Sequence, residues 1–311
     1  MHVLSTFSEA SVPKFPWGRR AAGAGQERTS PFQARGHVMA TRQAWTAWAA
    51  VLATAVLLSA PGCSSQPEPS QGKSKELNLD LGGGVTMKLV LIPAGKFMMG
   101  SPDSEKGRDE NEGQHEVTLS KPFYMGVTEV TQAQYEAIMG TNPSNFKGAT
   151  SPVDNVSWND ATEFCKKLSD KTNQAVRLPT EAEWEYACRA GSTTKFSFGD
   201  AHESLGDYAW YSTNSGSKTR PVGQKKPNAW GLYDMHGNVW EWCADRYGAY
   251  PEGAVTEPQG PASGMFRVLR GGAWNDSPDY CRSAYRNRTT PDNRYYYDGF
   301  RVEVSVSAPG L

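Results

Sequence analysis

The sequence predicts a loop-rich domain of mixed strand and helix, anchored by aromatic side chains. Three observations carry that expectation. The 311 residues include 31 glycines and 20 prolines, and 11% are aromatic. Seven of the ten tryptophans and all thirteen tyrosines fall after residue 80. Beyond that point strand-like runs come first, then three capped helices, then short strands separated by Gly/Asn/Pro turns. The length allows one or two domains. A net charge of −1 excludes the electrostatic footprint of a nucleic-acid binder.

Residues 1–38 show no periodicity and read as a misassigned N-terminal extension. From Met39 the chain reads as a secretory signal: Arg42, an apolar run from Ala44 to Leu58, then small residues up to Cys63. The run is shorter than the ~20 residues that span a bilayer. Residues 64–80 are polar, with Pro and Ser, and read as a flexible tether.

The folded domain, 81–306, opens with a strand over Val85–Ile92, turned by Pro93-Ala94-Gly95 into Lys96–Gly100. Ser101–Gln114 is an acidic loop, read as solvated rather than as a cation site. His115–Leu119 alternates as a strand, and Phe123–Val130 is expected to be another. Thr131 with Gln134 and Thr180 with Glu183 form capping boxes that open helices. Ala161, Phe164, Cys165 and Leu168 line one apolar helix face between them, so Cys165 belongs to the core. Gly191 is expected to end the third helix.

The densest stretch is Asn228–Asp245, NAWGLYDMHGNVWEWCAD. Gly231 and Gly237 break it, so it reads as a compact loop entering a short strand on which Trp240 and Trp242 share a face. Asp234 and Glu241, with carbonyls of the Gly237–Val239 turn, offer the hard oxygens that calcium prefers. The plain alternatives are a turn cap for Asp234 and a surface position for Glu241.

Several motifs in one order then carry a resemblance: GKFMMGS from Gly95, VTQAQYEAIMG from Val130, RLPTEAEWEYACR from Arg177, GLYDMHGNVWEW from Gly231, RGGAW from Arg270 and GFRV from Gly299. The chain closely resembles the formylglycine-generating enzyme, or sulfatase-modifying factor, family over about residues 85–305. The resemblance implies a single α+β domain of low regular content, related to C-type lectin folds. It implies an oxidase that converts a cysteine in a sulfatase Cys-x-Pro-x-Arg motif to formylglycine with oxygen and copper(I), so a sulfatase or another polypeptide with such a cysteine is the expected partner. In the family two cysteines five apart hold the copper. Here Cys281 matches the second, Asp276 stands where the first is expected, and Ala273 replaces a serine. A carboxylate is a poor copper(I) ligand. The resemblance maps one structural calcium onto Asp234, Gly237, Val239 and Glu241, and a second onto Asp207, Tyr208, Asn214 and Gly216. Cys188 matches a cysteine that is disulfide-bonded in some members, but Val302 occupies its partner's place. Cys63 after the signal resembles a bacterial lipoprotein site, which implies a lipid anchor and an address in the periplasm or at the outer membrane.

Two readings follow: a calcium-stabilised accessory or binding module, which is favoured, and an active oxidase. A third, an iron enzyme using His115, His202 and His236, lacks the additional helical domain that such relatives carry. The Arg/Tyr-rich stretch from Tyr285 to Arg301 divides into expected ion-pair partners, Arg286 and Arg301, and expected groove residues, Arg288 and Arg294.

Overall fold

The computed structural model describes residues 75–306. The expected extension, signal and Cys63 lie outside the described residues. The tether expected over 64–80 needs a correction, because strand β1 (Glu76–Gly82) begins within it. Leu77, Leu79 and Leu81 alternate with polar residues, and Leu79 and Leu81 join the core. That is the period of a half-buried strand, masked in the sequence by polar neighbours.

β1 turns directly into β2 (Val85–Ile92), followed by β3 (Gly95–Met99), β4 (His115–Leu119) and β5 (Phe123–Gly126). β5 is shorter than the expected Phe123–Val130. After Gly126 the Val127 N–H bonds back to the Lys88 carbonyl at 3.0 Å, and the chain turns inward, burying Glu129 completely. The three expected helices follow as α1 (Gln132–Met139), α2 (Trp158–Thr172) and α3 (Glu181–Arg189), with β6 (Val176–Arg177) between the last two. Both expected capping boxes are present, and α2 carries a third from Ser157 and Asp160. Each satisfies two otherwise orphaned N–H groups. Ala161, Phe164, Cys165 and Leu168 are buried, as their spacing predicts. α3 ends at Arg189, and the left-handed residue that caps it is Ala190 at φ 47°, one position ahead of the expected Gly191.

The remainder is short strands: β7 (Trp240–Arg246), β8 (Val255–Thr256), β9 (Arg267–Arg270), β10 (Asn287–Thr289), β11 (Asp298–Gly299) and β12 (Glu303–Ser305). They complete three sheets. The largest runs β1-β2-β5-β12-β6 and is antiparallel throughout, so the last strand is clamped between earlier ones. A second runs β10-β9-β7-β11 and a third β3-β4-β8. In the second sheet Asp298 is paired in register with Trp240, and Gly299 with Glu241. Trp240 and Trp242 are both buried in one core cluster with Phe164, Leu269 and Phe300. The result is a single α+β domain.

Candidate functional site

The loop after β9 is built around a close approach. Gly271 and Gly272 have φ of 97° and 77°, and a Cβ on Gly272 would lie 2.8 Å from the Cys281 Sγ. Only glycine lets the backbone pass over that sulfur. Asp276 closes the loop by accepting the Ala273 N–H at 2.9 Å. Burial pushes its carboxyl up to about 6, against the bonds from Ala273 and the Trp240 side chain. Cys281 is fully buried. Burial first, then the charges of Asp276 and Asp279, push its thiol well above the ordinary value, so it is protonated at neutral pH. All four cysteines among the described residues are free and buried. Cys188 touches the His236 ring at 3.9–4.0 Å, and that ring's Nδ1 meets the Cys281 carbonyl oxygen at 2.9 Å. One protonated thiol beside one carboxyl does not fit copper(I), which takes soft thiolate sulfur.

The same corner holds a residue that sequence reasoning passed over. Asp298 is fully buried, and neither of its carboxyl oxygens has a hydrogen-bond partner among the described residues. Burial, then the charge of Asp276, pushes its carboxyl well up. The available signal was an acid inside the run Tyr295-Tyr296-Tyr297-Asp298-Gly299-Phe300, where a buried strand is expected to be apolar.

The calcium candidates of the tryptophan-rich loop converge only in part. Asp234 is left-handed at φ 57° and accepts the Gly223 N–H through Oδ2 at 2.7 Å. Its Oδ1 is buried without a partner among the described residues. Glu241 is buried rather than at the surface. Its oxygens accept Arg301 Nε at 2.6 Å, Arg301 Nη2 at 2.7 Å and the Trp184 indole at 2.8 Å. Arg301 is thus an internal ion-pair partner, as expected. Glu129, which the sequence reading did not single out, joins this group with an unpartnered Oε1. Burial, then Asp234 and Glu241, push its carboxyl well up, and Arg301 only partly offsets them. Unpartnered oxygens on Asp234 and Glu129 are hard donors of the class calcium takes. The Glu241 carboxylate is already engaged, and among the described residues no group of three or more His, Cys, Asp or Glu side chains is arranged to hold a metal ion.

The second mapped site is different. Asp207 is exposed and paired with Lys226 at 2.8 Å. Asn214 uses its side chain internally, accepting the Tyr211 N–H at 2.9 Å and donating to the Ala209 carbonyl at 2.9 Å. The Lys225 Nζ donates to the Gly206 carbonyl, next to Asp207. Two lysine ammoniums therefore lie on this segment, one on the Asp207 carboxylate and one on the neighbouring Gly206 carbonyl.

Several other buried charges are paired, although the buried Asp154 keeps one oxygen without a partner among the described residues. Arg286 grips Glu181 through Nε at 2.6 Å and Nη2 at 2.8 Å, with Tyr250 stacked 3.7 Å from the guanidinium. Arg270 lies against Glu185 and Glu181. Arg282 binds Glu112 and Glu105, so the acidic loop read as solvated is instead pinned by buried ion pairs. Arg294 pairs with Asp160, and Arg288 lies over the Tyr247 ring at 4.3 Å.

A family model described as the sulfatase-modifying factor enzyme 1-like domain matches residues 84–306. A chaperone protein LppX of Paenibacillus barcinonensis is 31% identical over 268 residues, covering 70% of this chain and 89% of that protein. A formylglycine-generating enzyme of Mus musculus is 30% identical over 311 residues, covering 78% of each. Among solved structures, Treponema denticola variable protein 1 superposes with a TM-score of 0.70 at 35% identity, over 75% of this chain and 100% of that chain.

Proposed function

The chain belongs to the sulfatase-modifying factor family, and from that premise we propose that it is a calcium-stabilised accessory or binding module rather than an oxidase. The observation that carries this reading is Asp276, a carboxyl at the place of a copper thiolate, beside a Cys281 that is buried and protonated. The kinship with a protein named as a chaperone supports an accessory role. Kinship with formylglycine-generating enzymes keeps the oxidase as the competing reading, because a shared fold does not fix chemistry.

In this reading calcium is bound through Asp234 and Glu129, with the Gly237 and Val239 carbonyls at the same turn. It neutralises a buried carboxyl group and pins a loop with few strand bonds of its own. The protein acts outside the cytoplasm, in the periplasm or at the outer membrane, held by a lipid on Cys63. Its partner is a sulfatase or another polypeptide.

The test loads the full-length chain with copper(I), adds oxygen and a Cys-x-Pro-x-Arg peptide, and follows the peptide by mass spectrometry. The expected result is an unchanged thiol, while calcium raises the Tm and Asp234→Asn removes that rise. Appearance of the aldehyde would overturn the reading.

A further inference from the structure

We propose that the cavity between the start of α3 and the segment 245–261 binds a small organic cation, an ammonium on an apolar body, with Asp245 as its counter-ion. None of the residues weighed for copper or calcium lines this cavity, so the site goes beyond the metal chemistry considered above.

The cavity holds about 370 Å³, within the range of small-molecule sites. It opens to solvent past Thr256, which is exposed. Pro251, Pro258 and Pro261 stand in its wall beside Val255. Proline fixes the backbone, so this apolar wall is stiff before a ligand arrives. Two glycines let the wall pack closely. A Cβ on Gly248 would lie 2.8 Å from the Pro261 Cγ, and one on Gly260, where φ is 69°, would lie 3.0 Å from the Asp245 Cβ.

The polar groups decide which ligand fits. Arg286 lines the cavity, but its guanidinium is turned to the protein's own oxygens. Nε and Nη2 hold Glu181, and Nη1 donates to the Asn111 and Gly248 carbonyls at 3.0 and 3.1 Å. The Tyr250 hydroxyl donates to Glu181 at 3.2 Å, and Arg246 Nη1 donates to the Gly264 carbonyl at 2.6 Å. Acceptors remain. Asp245 is 4% exposed, and its Oδ2 accepts the Glu181 N–H at 2.8 Å. Among the described residues no side chain donates to it, although Arg286 stands on the same wall. His115 donates through Nδ1 to the Gly113 carbonyl at 3.1 Å, which leaves Nε2 as the acceptor of the neutral ring. That ring packs on Tyr250 at 4.7 Å, which fixes it in the wall. Burial, then the Glu181 charge, push the Asp245 carboxyl up to about 7. An ammonium brings the charge that favours its ionised form and the donors that its oxygens and His115 accept.

The experiment titrates the full-length chain by calorimetry with phenethylamine, phenethyl alcohol and phenylacetate, which share a ring and differ in the head group. The amine is expected to bind about tenfold or more tightly than the alcohol, the weight of a charge-assisted hydrogen bond, and phenylacetate most weakly. Asp245→Asn keeps an oxygen for the Glu181 N–H and removes the charge. The amine then falls to the level of the alcohol, while the alcohol's own affinity stays, which separates loss of the charge from loss of the fold. Thr256→Trp, on the exposed rim, narrows the mouth and weakens both. No binding of the amine, an alcohol or carboxylate bound as tightly as the amine, or an undiminished preference in Asp245→Asn overturns the proposal. Tighter binding of a capped lysine pentapeptide than of phenethylamine also overturns it, since the cavity would then belong to a polypeptide side chain. Calcium and copper(I) are left out of every titration, so the outcome is independent of the roles given to Asp234 and Cys281.

Discussion

Two regions of this domain bury carboxylates in opposite ways. Around α3 and the acidic loop, Glu181, Glu185 and Glu112 each meet a buried arginine. Burial pushes the Glu112 and Glu181 carboxyls up, but Arg282 and Arg286 outweigh it and both end below the ordinary value. At the ends of β7 and β11, Asp276, Asp298, Asp234 and Glu129 have no such partner, and burial leaves all four raised. The first arrangement is complete within the chain and locks loops to the core. The second is incomplete and waits for a proton, a metal ion or a ligand. Unsatisfied buried charge is where a scaffold shared by many relatives leaves room for function.

The largest effect should come from breaking the complete side. Arg282→Met strands the fully buried Glu112 with only Ser101 and the Asp109 N–H as donors. A loss of about 3–5 kcal/mol is expected, read as a fall in the urea midpoint at constant m. Replacing Glu112 by Leu in the same chain should restore most of that loss, because an apolar pair removes both desolvation terms. If the single variant costs less than ~1 kcal/mol, the contrast between the two regions collapses.

The incomplete side should appear in the pH dependence. Asp276 and Asp234 are raised to about 6, and Asp298 and Glu129 well above the ordinary carboxylate value. An acid with a raised pKa binds protons in the folded state before it does so unfolded. Its burden is therefore full above the folded pKa and is relieved as pH falls through it. His236, lowered to about 4 by burial, works the other way between its ordinary value and that pH, but it is one group against several. In chelator the Tm should rise on acidification from about pH 8 to about pH 5, then fall below about pH 4 as Glu112 and Glu181 protonate. Calcium should flatten the upper branch by engaging Asp234 and Glu129. A Tm that falls steadily from pH 8 would mean the raised carboxyls are already compensated.

How much of this was legible depends on distance along the chain. The capping boxes were readable because cap and partner lie three residues apart. Asp276 was readable by register against Gly271 and Gly272. Cys165 fell in a helical face with a clear period. The pairing of Arg282 with Glu112 was not, since 170 residues separate them and an acidic loop with glycine looks solvated by composition. Glu129 and Asp298 were missed because burial there is decided by sheet pairing. Asp298 is sealed only when β11 lies parallel to β7, and a two-residue strand has no period to read. In the tryptophan-rich loop the partners were not legible: nothing in the spacing of Glu241 announces that Arg301 takes both of its oxygens.

The smallest effect should come from a pair that looks as good as the buried ones. Arg294 holds Asp160 with two bonds, at 2.7 and 2.9 Å, the geometry that Arg286 uses on Glu181. The difference is solvent. Half of the Arg294 side chain is exposed, and water and salt screen what it gains. Asp160 is also already held by Ser157, which donates through its N–H and hydroxyl at 2.9 and 2.7 Å, so its carboxylate is not stranded when the arginine leaves. Arg294→Ala should therefore cost no more than ~0.5 kcal/mol by urea titration, and that difference should vanish in about 1 M salt. A loss as large as that of Arg282→Met would show that hydrogen-bond geometry, rather than burial, sets the value of these arginines. The division between complete and incomplete regions would then have to be redrawn around geometry.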